Sequence, residues 1–399
     1  MKHTKTILAL SLTSLFAGAA YAEESFTAAL DKSSVDVNMN LRYESVSQDN
    51  TKEDADALTL RTRATVTTGT YNNFSAVVGF EDVRQVAGVN DYQDAVGNNG
   101  QYSVIADPEV TEVDQAYVQY KTENFTTKLG RQVLTLDNHR FVGHVGWRQD
   151  RQTFDALSFA YAVNKDIALQ YSFINKRNRI FAEVNDVQSK DHLLNASVNT
   201  DLGKFTAYGY VLEVDNNTEN DLDTFGLRYT GGQKLETTKL TYQLEYASQY
   251  SNDGTNRYSA DYLLAELAAN WSGITGKLGY EVLGSDHGQY AFSTPLATLH
   301  KFNGWADQFI KTPTQGLVDL YVTVGGEAFS GKWSVTYHDF SADENSAADD
   351  LGSEIDAIYK KSFNKHFSAG VKFALYEAGD LTTDKVDTDK VWLWTTLTF

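Results

Sequence analysis

Cysteine is absent from the sequence, and only three of its 399 residues are proline. Without cysteine the chain can form no disulfide scaffold, iron–sulfur cluster or thiol nucleophile, and no cysteine-ligated zinc site. Positive charge is also scarce, since 34 lysines and arginines stand against 53 aspartates and glutamates and the formal net charge is −19. Nucleic acid is therefore not expected as a partner, because phosphate binding needs a basic surface.

Long apolar runs are missing too, and the one short run of note lies at the N-terminus. A lysine-bearing start precedes an apolar segment at 7–16, and the small-residue site Ala20-Tyr21-Ala22 follows it. This order predicts a secretory signal peptide, residues 1–22, cleaved after Ala22. An uncleaved membrane anchor is the alternative, but it would need a longer apolar segment. Residues 23–399 contain no run near the ~18–20 apolar residues of a spanning helix, and we expect them to form one domain.

Apolar and polar residues alternate with a period of two over most of the remaining chain. Val35, Val37 and Leu41 share one face of the first such segment, while Asp36 and Asn38 lie on the other. A β-strand has this period, whereas a helix would scatter the residues around its circumference. The alternation covers residues 35–44, 58–68, 74–81, 115–121, 125–132, 157–163, 167–174, 193–199, 205–212, 224–229, 240–247, 262–271, 274–282, 317–324, 333–339, 353–360, 367–375 and 391–399. The pattern predicts an all-β chain: a single transmembrane antiparallel β-barrel of about 18 strands.

The connections between these segments alternate in length. Tight turns such as 122–124 and 272–273 separate long loops such as 82–114, 133–153 and 283–316. Short periplasmic turns and long extracellular loops are typical of outer-membrane barrels, and a soluble β-sandwich gives no reason for this asymmetry. We therefore expect the cell outer membrane of a Gram-negative bacterium, with outer-membrane lipid and lipopolysaccharide as partners and a monomer favoured over oligomers.

The last segment, 391–399, alternates and ends on Phe399. It resembles the C-terminal signal of outer-membrane proteins that the barrel-assembly machinery reads. An ordinary last strand of a secreted β protein is the alternative. The resemblance makes the assembly machinery an expected partner.

Arginines are concentrated in the first half of the chain, and several fall on the polar face of a predicted strand. Arg61 and Arg63 lie opposite apolar neighbours such as Leu60, so their guanidinium groups are expected in the lumen. Arg131 shares a face with Leu129, and a β-bulge at Gly130 is the device that would turn it inward. The predicted basic lumen residues are Arg42, Arg61, Arg63, Arg131, Arg148 and Arg151.

Inward positions later in the chain are acidic. Predicted acidic lumen residues are Asp155, Glu245, Glu266, Glu281 and Asp319. Strands two and eleven or twelve of an eighteen-strand barrel stand roughly opposite each other, so a basic wall would face an acidic wall and select solutes by charge. Two alternatives stay open: the charges are scattered and solvated, or the arginines at 140–151 fix a loop by pairing with Asp137, Asp150 and Asp155.

Several segments carry a family resemblance: 129–132 (LGRQ), 140–143 (RFVG), 146–149 (GWRQ), 152–156 (QTFDA) and 295–307 (PLATLHKFNGWAD). Together they resemble the alginate-export family of outer-membrane barrels. The resemblance implies an eighteen-stranded barrel with an arginine-lined conduit for a polyanionic polysaccharide, gated by inward-folded loops. It also implies lumen or constriction roles for Arg131, Arg148, Arg151 and Asp155, and a possible plug loop that contains Lys301, Asn303, Trp305 and Asp307. The acidic wall departs from this pattern, because it would repel a polyuronate.

The sequence thus predicts a porin-like channel for the passive passage of hydrophilic solutes, anionic or carbohydrate, through an arginine-lined lumen. The alternatives are a general diffusion porin without a polysaccharide role, an outer-membrane enzyme, or a surface adhesin based on the long loops. An enzyme is not expected, because the chain has no Gly-x-Ser-x-Gly, His-Glu-x-x-His or phosphate-binding glycine loop. We expect no cofactor and no metal.

Overall fold

The structure is a computed structural model of the 399-residue chain. It describes residues 25–97, 100–218, 220–344, 349–379 and 384–399. The predicted signal peptide and its cleavage site at Ala22 lie outside the described residues. Among the described residues, no helix combines the length and hydropathy needed to cross a membrane.

The chain forms a closed antiparallel β-barrel of eighteen strands, which confirms the predicted fold class. The barrel strands are β1 (Ser34–Gln48), β2 (Ala55–Thr67), β3 (Phe74–Asp91), β4 (Val110–Lys121), β5 (Phe125–Gln132), β6 (Thr153–Ala162), β7 (Ile167–Asn178), β8 (Val187–Thr200), β9 (Gly203–Leu212), β10 (Asp221–Lys234), β11 (Thr238–Asn252), β12 (Arg257–Trp271), β13 (Ile274–Leu283), β16 (Leu317–Ala328), β17 (Gly331–Ser341), β18 (Asp350–Ser362), β19 (Phe367–Glu377) and β20 (Thr388–Thr398). Each strand pairs with its neighbours in the chain, and β1 closes the ring by pairing with β20.

The remaining elements are short. Helix α1 (Phe26–Asp31) precedes the barrel, and the side chain of Ser25 caps it by accepting a hydrogen bond from the backbone N–H of Ala28. Single 3₁₀ turns occur at Glu183–Asn185 and Leu299–Lys301. A two-residue hairpin, β14 (Ser285–Asp286) and β15 (Tyr290–Ala291), belongs to the long loop after β13.

Several strands run further toward the loop end than their alternation predicts. β3 continues to Asp91 instead of ending near Glu81, because its extension pairs with β2 as far as Asp56 opposite Asp91. A register shift accompanies this extension: Thr59 pairs with Gln85 and Ala57 with Asn90, so β3 carries extra residues between these pairs. Backbone pairing thus continues past the residues with an outward apolar face, because the part of a strand beyond the bilayer does not contact lipid.

Three loops at the long-loop end fold into the barrel: 92–109, 133–152 and 284–316. Phe141 and Phe292 pack against Tyr262, a residue of the inner wall, with ring centroids 5.4 and 5.5 Å from that of Tyr262. Ile105 is fully buried in a second cluster with Val46 of β1. These apolar contacts fix the loops inside the lumen, where the functional residues meet.

Candidate functional site

The inner face of β1 and β2 carries three of the predicted arginines. Arg42, Arg61 and Arg63 alternate with outward apolar residues; the side chains of Arg42 and Arg61 are buried inside the barrel, and that of Arg63 is 12% exposed. Arg63 forms ion pairs with Glu81 and, at 3.4 Å, with Asp114. Arg61 differs, because its side-chain partner is the amide oxygen of Asn38 and it forms no ion pair with a carboxylate among the described residues.

Two inward loops meet at Arg148. Its Nη1 lies 2.8 Å from a carboxylate oxygen of Glu44 and 3.4 Å from one of Asp107, which also binds Arg42. Burial alone would lower the pKa of Arg148, but the charges of Glu44, Asp107 and Asp307 raise it above its ordinary value. A loop arginine is thereby held against the barrel wall in its charged form.

Arg151, three residues further along the same loop, is fixed in the same way. Its Nε and Nη2 donate to the two carboxylate oxygens of Asp114, both at 2.6 Å, which is a bidentate pair. The neighbouring Asp150 is buried and has no hydrogen-bond partner for either oxygen among the described residues. Burial raises the pKa of Asp150 well above its ordinary value, and the charges of Glu112 and Glu81 raise it further.

The four predicted acidic residues on β11 to β16 also lie on the inner face, but each is engaged by a neighbour. Tyr208 donates to Glu245 at 2.9 Å, Lys277 lies 3.1 Å from Glu266, Arg140 donates to Glu281 at 2.8 Å, and the ring of His338 lies 2.9 Å from Asp319. The four carboxylates therefore lie on the inner face as predicted, and neighbouring side chains bind them.

The predicted plug segment binds to this acidic wall. The amide nitrogen of Asn303 donates to Glu281 at 2.7 Å and to Asp319 at 3.1 Å. Asp307 lies 2.7 Å from His300 and 2.9 Å from the amino group of Lys390.

Further contacts fix both sides of the plug segment. The backbone N–H groups of Trp305 and Ala306 donate to Asp356 and Glu354, and Lys301 donates to the carbonyl oxygen of Asn138 at 2.8 Å. Gly304 has φ +84°, and a side chain there would collide with Glu354. Segment 300–307 is thus held between the barrel wall and the loop at 133–152.

The lumen placement of Arg131 and Asp155 is wrong. Both strand pairings run through Gly130 without a register shift, so the predicted bulge is absent. Arg131 therefore shares the face of Leu129, which is 64% exposed and points outward. The two charges pair with each other on the outer face, with Arg131 Nε 2.8 Å from Asp155.

The predicted loop-fixing alternative is correct in principle for the arginines at 140–151, but the partners differ. Arg140 pairs with Glu281, whereas Asp137 accepts a hydrogen bond from Asn195. Arg148 pairs with Glu44 and Asp107. The prediction chose carboxylates that are close to these arginines in the sequence. In the structure the loops fold across the lumen, and the arginines pair with carboxylates that are distant in the sequence.

Lys372, Trp392 and Asp107 are absent from the predicted site residues. Lys372 stands between the outward Val371 and Phe373, so strand alternation was a sufficient signal for it, and the same holds for Trp392. Asp107 lies in an irregular loop, where no periodicity assigns a side chain to the lumen. Among the described residues, no group of three or more acidic or histidine side chains is arranged to hold a metal ion.

Two cavities of about 360 Å³ each lie in the turn-side half of the lumen. The tryptophan cavity is lined by Asn38, Asn40, Arg42, Arg61, Gly146, Trp147, Ile358, Lys372, Trp392, Trp394 and Thr396. The acidic cavity has the carboxylates of Glu266, Glu281, Asp319 and Asp356 in its lining, with Lys277 and Lys301. Of the predicted lumen residues, Arg42 and Arg61 line the tryptophan cavity, and Glu266, Glu281 and Asp319 line the acidic cavity.

Comparison with solved structures places the fold. OccK9 (OpdG) of Pseudomonas aeruginosa superimposes with a TM-score of 0.73 over 93% of this chain and 99% of that chain, at 12% identity. OccAB4 of Acinetobacter baumannii gives 0.74 over 92% and 98%, at 13% identity. OpdK of P. aeruginosa with vanillate gives 0.71 over 93% and 99%, at 11% identity, and OpdK is an outer membrane protein. The chain therefore shares the barrel fold of these proteins.

The family follows from the sequence match. The model of the alginate export family matches residues 32–284, more than half of the chain, and the chain belongs to this family. None of the curated proteins matches it. Family and fold together define an outer-membrane channel for passive solute passage.

Proposed function

We propose that this protein is a channel in the outer membrane of a Gram-negative bacterium, and that it passes hydrophilic anionic or carbohydrate solutes through its arginine-lined lumen. The observation that carries the proposal is the imbalance between lumen charges. Glu281, Glu266 and Asp319 of the inner wall are engaged by Arg140, Lys277 and His338, respectively. Arg61 has no carboxylate partner among the described residues, so its positive charge remains available to a solute.

Two lysines of the lumen support the same preference. Lys372 is 7% exposed, and its amino group contacts the ring of His300 instead of a carboxylate. Lys128 lies over the ring of Tyr117, at 4.8 Å from its centroid, and lines a third lumen cavity of about 340 Å³. Fixed cations along a water-filled path lower the barrier for anions.

The inward loops favour selective passage over a wide pore. Loops 92–109, 133–152 and 284–316 occupy the extracellular half of the lumen, so a solute must pass between them. OpdK, a barrel of the same fold, was solved with vanillate, a carboxylate. A carboxylate-bearing solute fits the charge of this lumen equally well.

Membrane placement forms part of the proposal. Leu227 and Leu244 belong to an outward apolar band that suits lipid, and the paired Arg131 and Asp155 lie on the outer face near the long-loop end, where lipopolysaccharide headgroups would contact them. Phe399 closes the barrel by backbone pairing with Val37 and is exposed, as a signal for the assembly machinery must be. Signal-peptide export and a monomeric state complete the proposal.

The test is the reversal potential of the purified, refolded protein in a planar bilayer under a potassium chloride gradient. Anion-selective steps that alginate or oligosaccharides block would support the proposal. Weakly selective steps indifferent to these blockers would indicate a general diffusion porin instead. A protein that conducts nothing but hydrolyses peptides or phospholipids would overturn the channel assignment.

A further inference from the structure

The two ends of the barrel differ in charge. Six inward lysines lie within three residues of the turn end of their strands, and together they form the lysine ring: Lys121, Lys204, Lys234, Lys239, Lys332 and Lys360. Among the described residues, the acidic side chains at inward positions of the same level are Asp36 and Glu327. The turns add four acids and two lysines, so the turn end of the lumen stays net positive.

Strand register places the lysine ring on the inner face. Lys234 lies directly opposite Lys239 on β10 and β11, six positions along each strand from the inward pair Arg228 and Glu245. An even separation keeps a side chain on the same face of a strand. Both lysines are exposed to the water of the lumen, and neither forms an ion pair with a carboxylate among the described residues.

A second pair of like charges lies on β17 and β18, where Lys332 is directly opposite Lys360. Lys332 is 3.9 Å from Glu327, and it is the one member of the lysine ring with an ion pair among the described residues. Like charges directly opposite each other on neighbouring strands are destabilising. Without carboxylate partners the lysine ring attracts mobile anions from solution, so it concentrates anions at this end of the lumen.

The loop end has the opposite charge. Loops 49–54, 342–349 and 378–387 contain nine acidic residues against two lysines. The two ends are separated by the apolar band of the barrel, which is about 25 Å tall, whereas the Debye length is about 8 Å at physiological salt. Each end therefore acts on ions independently: the turn end enriches anions and the loop end enriches cations.

We infer that the pore rectifies ionic current. When the extracellular side is positive, anions move inward from the lysine ring and cations move inward from the acidic loops. Both enter the narrow region between the inward loops, so the ion concentration there rises and the conductance is high. The reverse voltage draws each ion through the end that is depleted of it, and the conductance falls.

This inference rests on the proposed function, because it requires an open channel. It goes beyond charge selectivity, since a pore of uniform charge would select anions without distinguishing the two directions. At equal voltage, anions should leave the periplasm through this pore more readily than they enter it.

The experiment is a current–voltage curve of the full-length protein in a planar bilayer with the same potassium chloride solution on both sides. At ~0.1 M salt we expect the current at about 100 mV, extracellular side positive, to exceed the current at the opposite voltage about twofold. At ~1 M salt the Debye length falls to about 3 Å, and the two currents should become nearly equal.

The orientation of the protein in the bilayer must be known to assign the sign. The chain has no cysteine of its own, so Thr255→Cys, in the exposed turn between β11 and β12, can be biotinylated selectively. Streptavidin added to one chamber then identifies the loop end, because it alters the current only from the side of the biotin.

Variants test the lysine ring. Replacing Lys234, Lys239, Lys332 and Lys360 together by Gln should lower the current ratio from about 2 to about 1.3, since only the acidic loops then remain asymmetric. Removal of two like-charge pairs should not impair folding. Lys361→Gln is the matched control, because Lys361 follows Lys360 on β18 but lies on the outer face, and it should leave the ratio unchanged.

Equal currents in both directions at ~0.1 M salt would overturn the inference, as would the opposite sign of rectification. A ratio that persists at ~1 M salt, or that is the same in the fourfold variant and in Lys361→Gln, would assign the asymmetry to loop movement instead. The salt series needs no variant, so it decides the question even if the fourfold variant fails to fold.

Failure of the proposed function has a different signature. If the reversal potential shows anion selectivity but the currents are symmetric, the proposed function stands and the inference of rectification falls. If the current rectifies but the pore prefers cations, rectification stands and the proposed selectivity falls. A protein that conducts no ions would overturn both.

Discussion

The two cavities of the lumen differ less in how much charge they carry than in what that charge does. Around the acidic cavity, Glu281 and Asp319 are occupied in holding the loops, since Asn303 binds both and Arg140 pairs with Glu281. Around the tryptophan cavity, Arg61 and Lys372 hold no loop by an ion pair among the described residues. Glu281 and Asp319 therefore hold the loops on one side, while on the other side Arg42 is paired with Asp107 and only Arg61 and Lys372 lack a carboxylate partner among the described residues.

The two cavities show that the electrostatic effect of a pore wall on a solute cannot be derived from the number of its acidic and basic residues. A paired charge contributes a dipole that falls off within a few ångströms, whereas an unpaired charge acts over about a Debye length of ~8–10 Å. The whole chain is strongly acidic, yet Arg61 and Lys372 in the lumen form no ion pair with a carboxylate among the described residues. We expect the charge selectivity of the channel to follow these unpaired groups.

We expect the largest effect from removing the ion pair between Arg140 and Glu281, which joins loop 133–152 to the wall beside the acidic cavity. Arg140→Gln leaves Glu281 buried without its cation, which costs about 3 kcal/mol or more. Since Arg140 joins loop 133–152 to the wall of β13, we expect the loop to loosen, with higher single-channel conductance and faster proteolysis within 133–152. Arg140→Gln with Glu281→Gln should recover part of this loss. Unchanged conductance and proteolysis in the single variant would show that apolar packing alone holds the loop.

The next effect tests the basic side. Arg61→Gln removes an unpaired lumen charge and should lower the anion-to-cation permeability ratio about threefold, the factor expected from one charge about 6 Å from the ion path in water. Arg131→Gln is the matched control, because Arg131 lies on the outer face. Its reversal potential should match that of the unmodified protein. Equal shifts in the two variants would refute the assignment of Arg61 as a lumen charge.

A smaller effect concerns pH and the same loop. Burial lowers the pKa of His144 to about 4, and its neutral Nδ1 accepts a hydrogen bond of 2.7 Å from the backbone N–H of Gly146. Between pH 6.5 and 4 the released loop binds a proton that the docked loop excludes, so docking weakens as the pH falls through this window. After allowance for partial exposure, we expect about 1 kcal/mol at pH 5.

Conductance and proteolysis of the loop at pH 5 and pH 7.5 measure this effect. His144→Asn keeps a hydrogen-bond acceptor without a titrating group and should remove the pH dependence. His287→Asn is the control, since His287 is exposed in another loop. An identical pH dependence in both variants would assign the effect to other groups.

The smallest effect returns to the acidic cavity. Glu266→Gln releases Lys277 from its ion pair at 3.1 Å and should raise the anion preference by less than about twofold, because the pair contributes little net charge to the path. The reversal potential measures it. If Glu266→Gln shifted the reversal potential as much as Arg61→Gln, in the opposite direction, paired and unpaired lumen charges would have equal effects on selectivity. The distinction between the two cavities would then be wrong.

The eighteen strands were predictable because a lipid-facing barrel forces an apolar residue at every second position, and no other constraint in this chain produces that period. The same rule placed Arg61, Glu266 and Asp319 on the inner face, and it would have placed Lys372. It failed for Arg131, where a bulge at Gly130 was assumed and the strands pair without one.

Alternation thus determined, from the sequence alone, the strand number, the antiparallel closure and the side of the wall that each regular strand residue faces. The tertiary structure alone decided which charges pair and which stay available. That outcome depends on three irregular loops that bring Asp107, Arg140 and Trp147 across the lumen to partners 41, 141 and 105 positions away in the chain. Local periodicity contains no information about such contacts, because loop closure is set by packing inside the finished barrel rather than by the order of neighbouring residues.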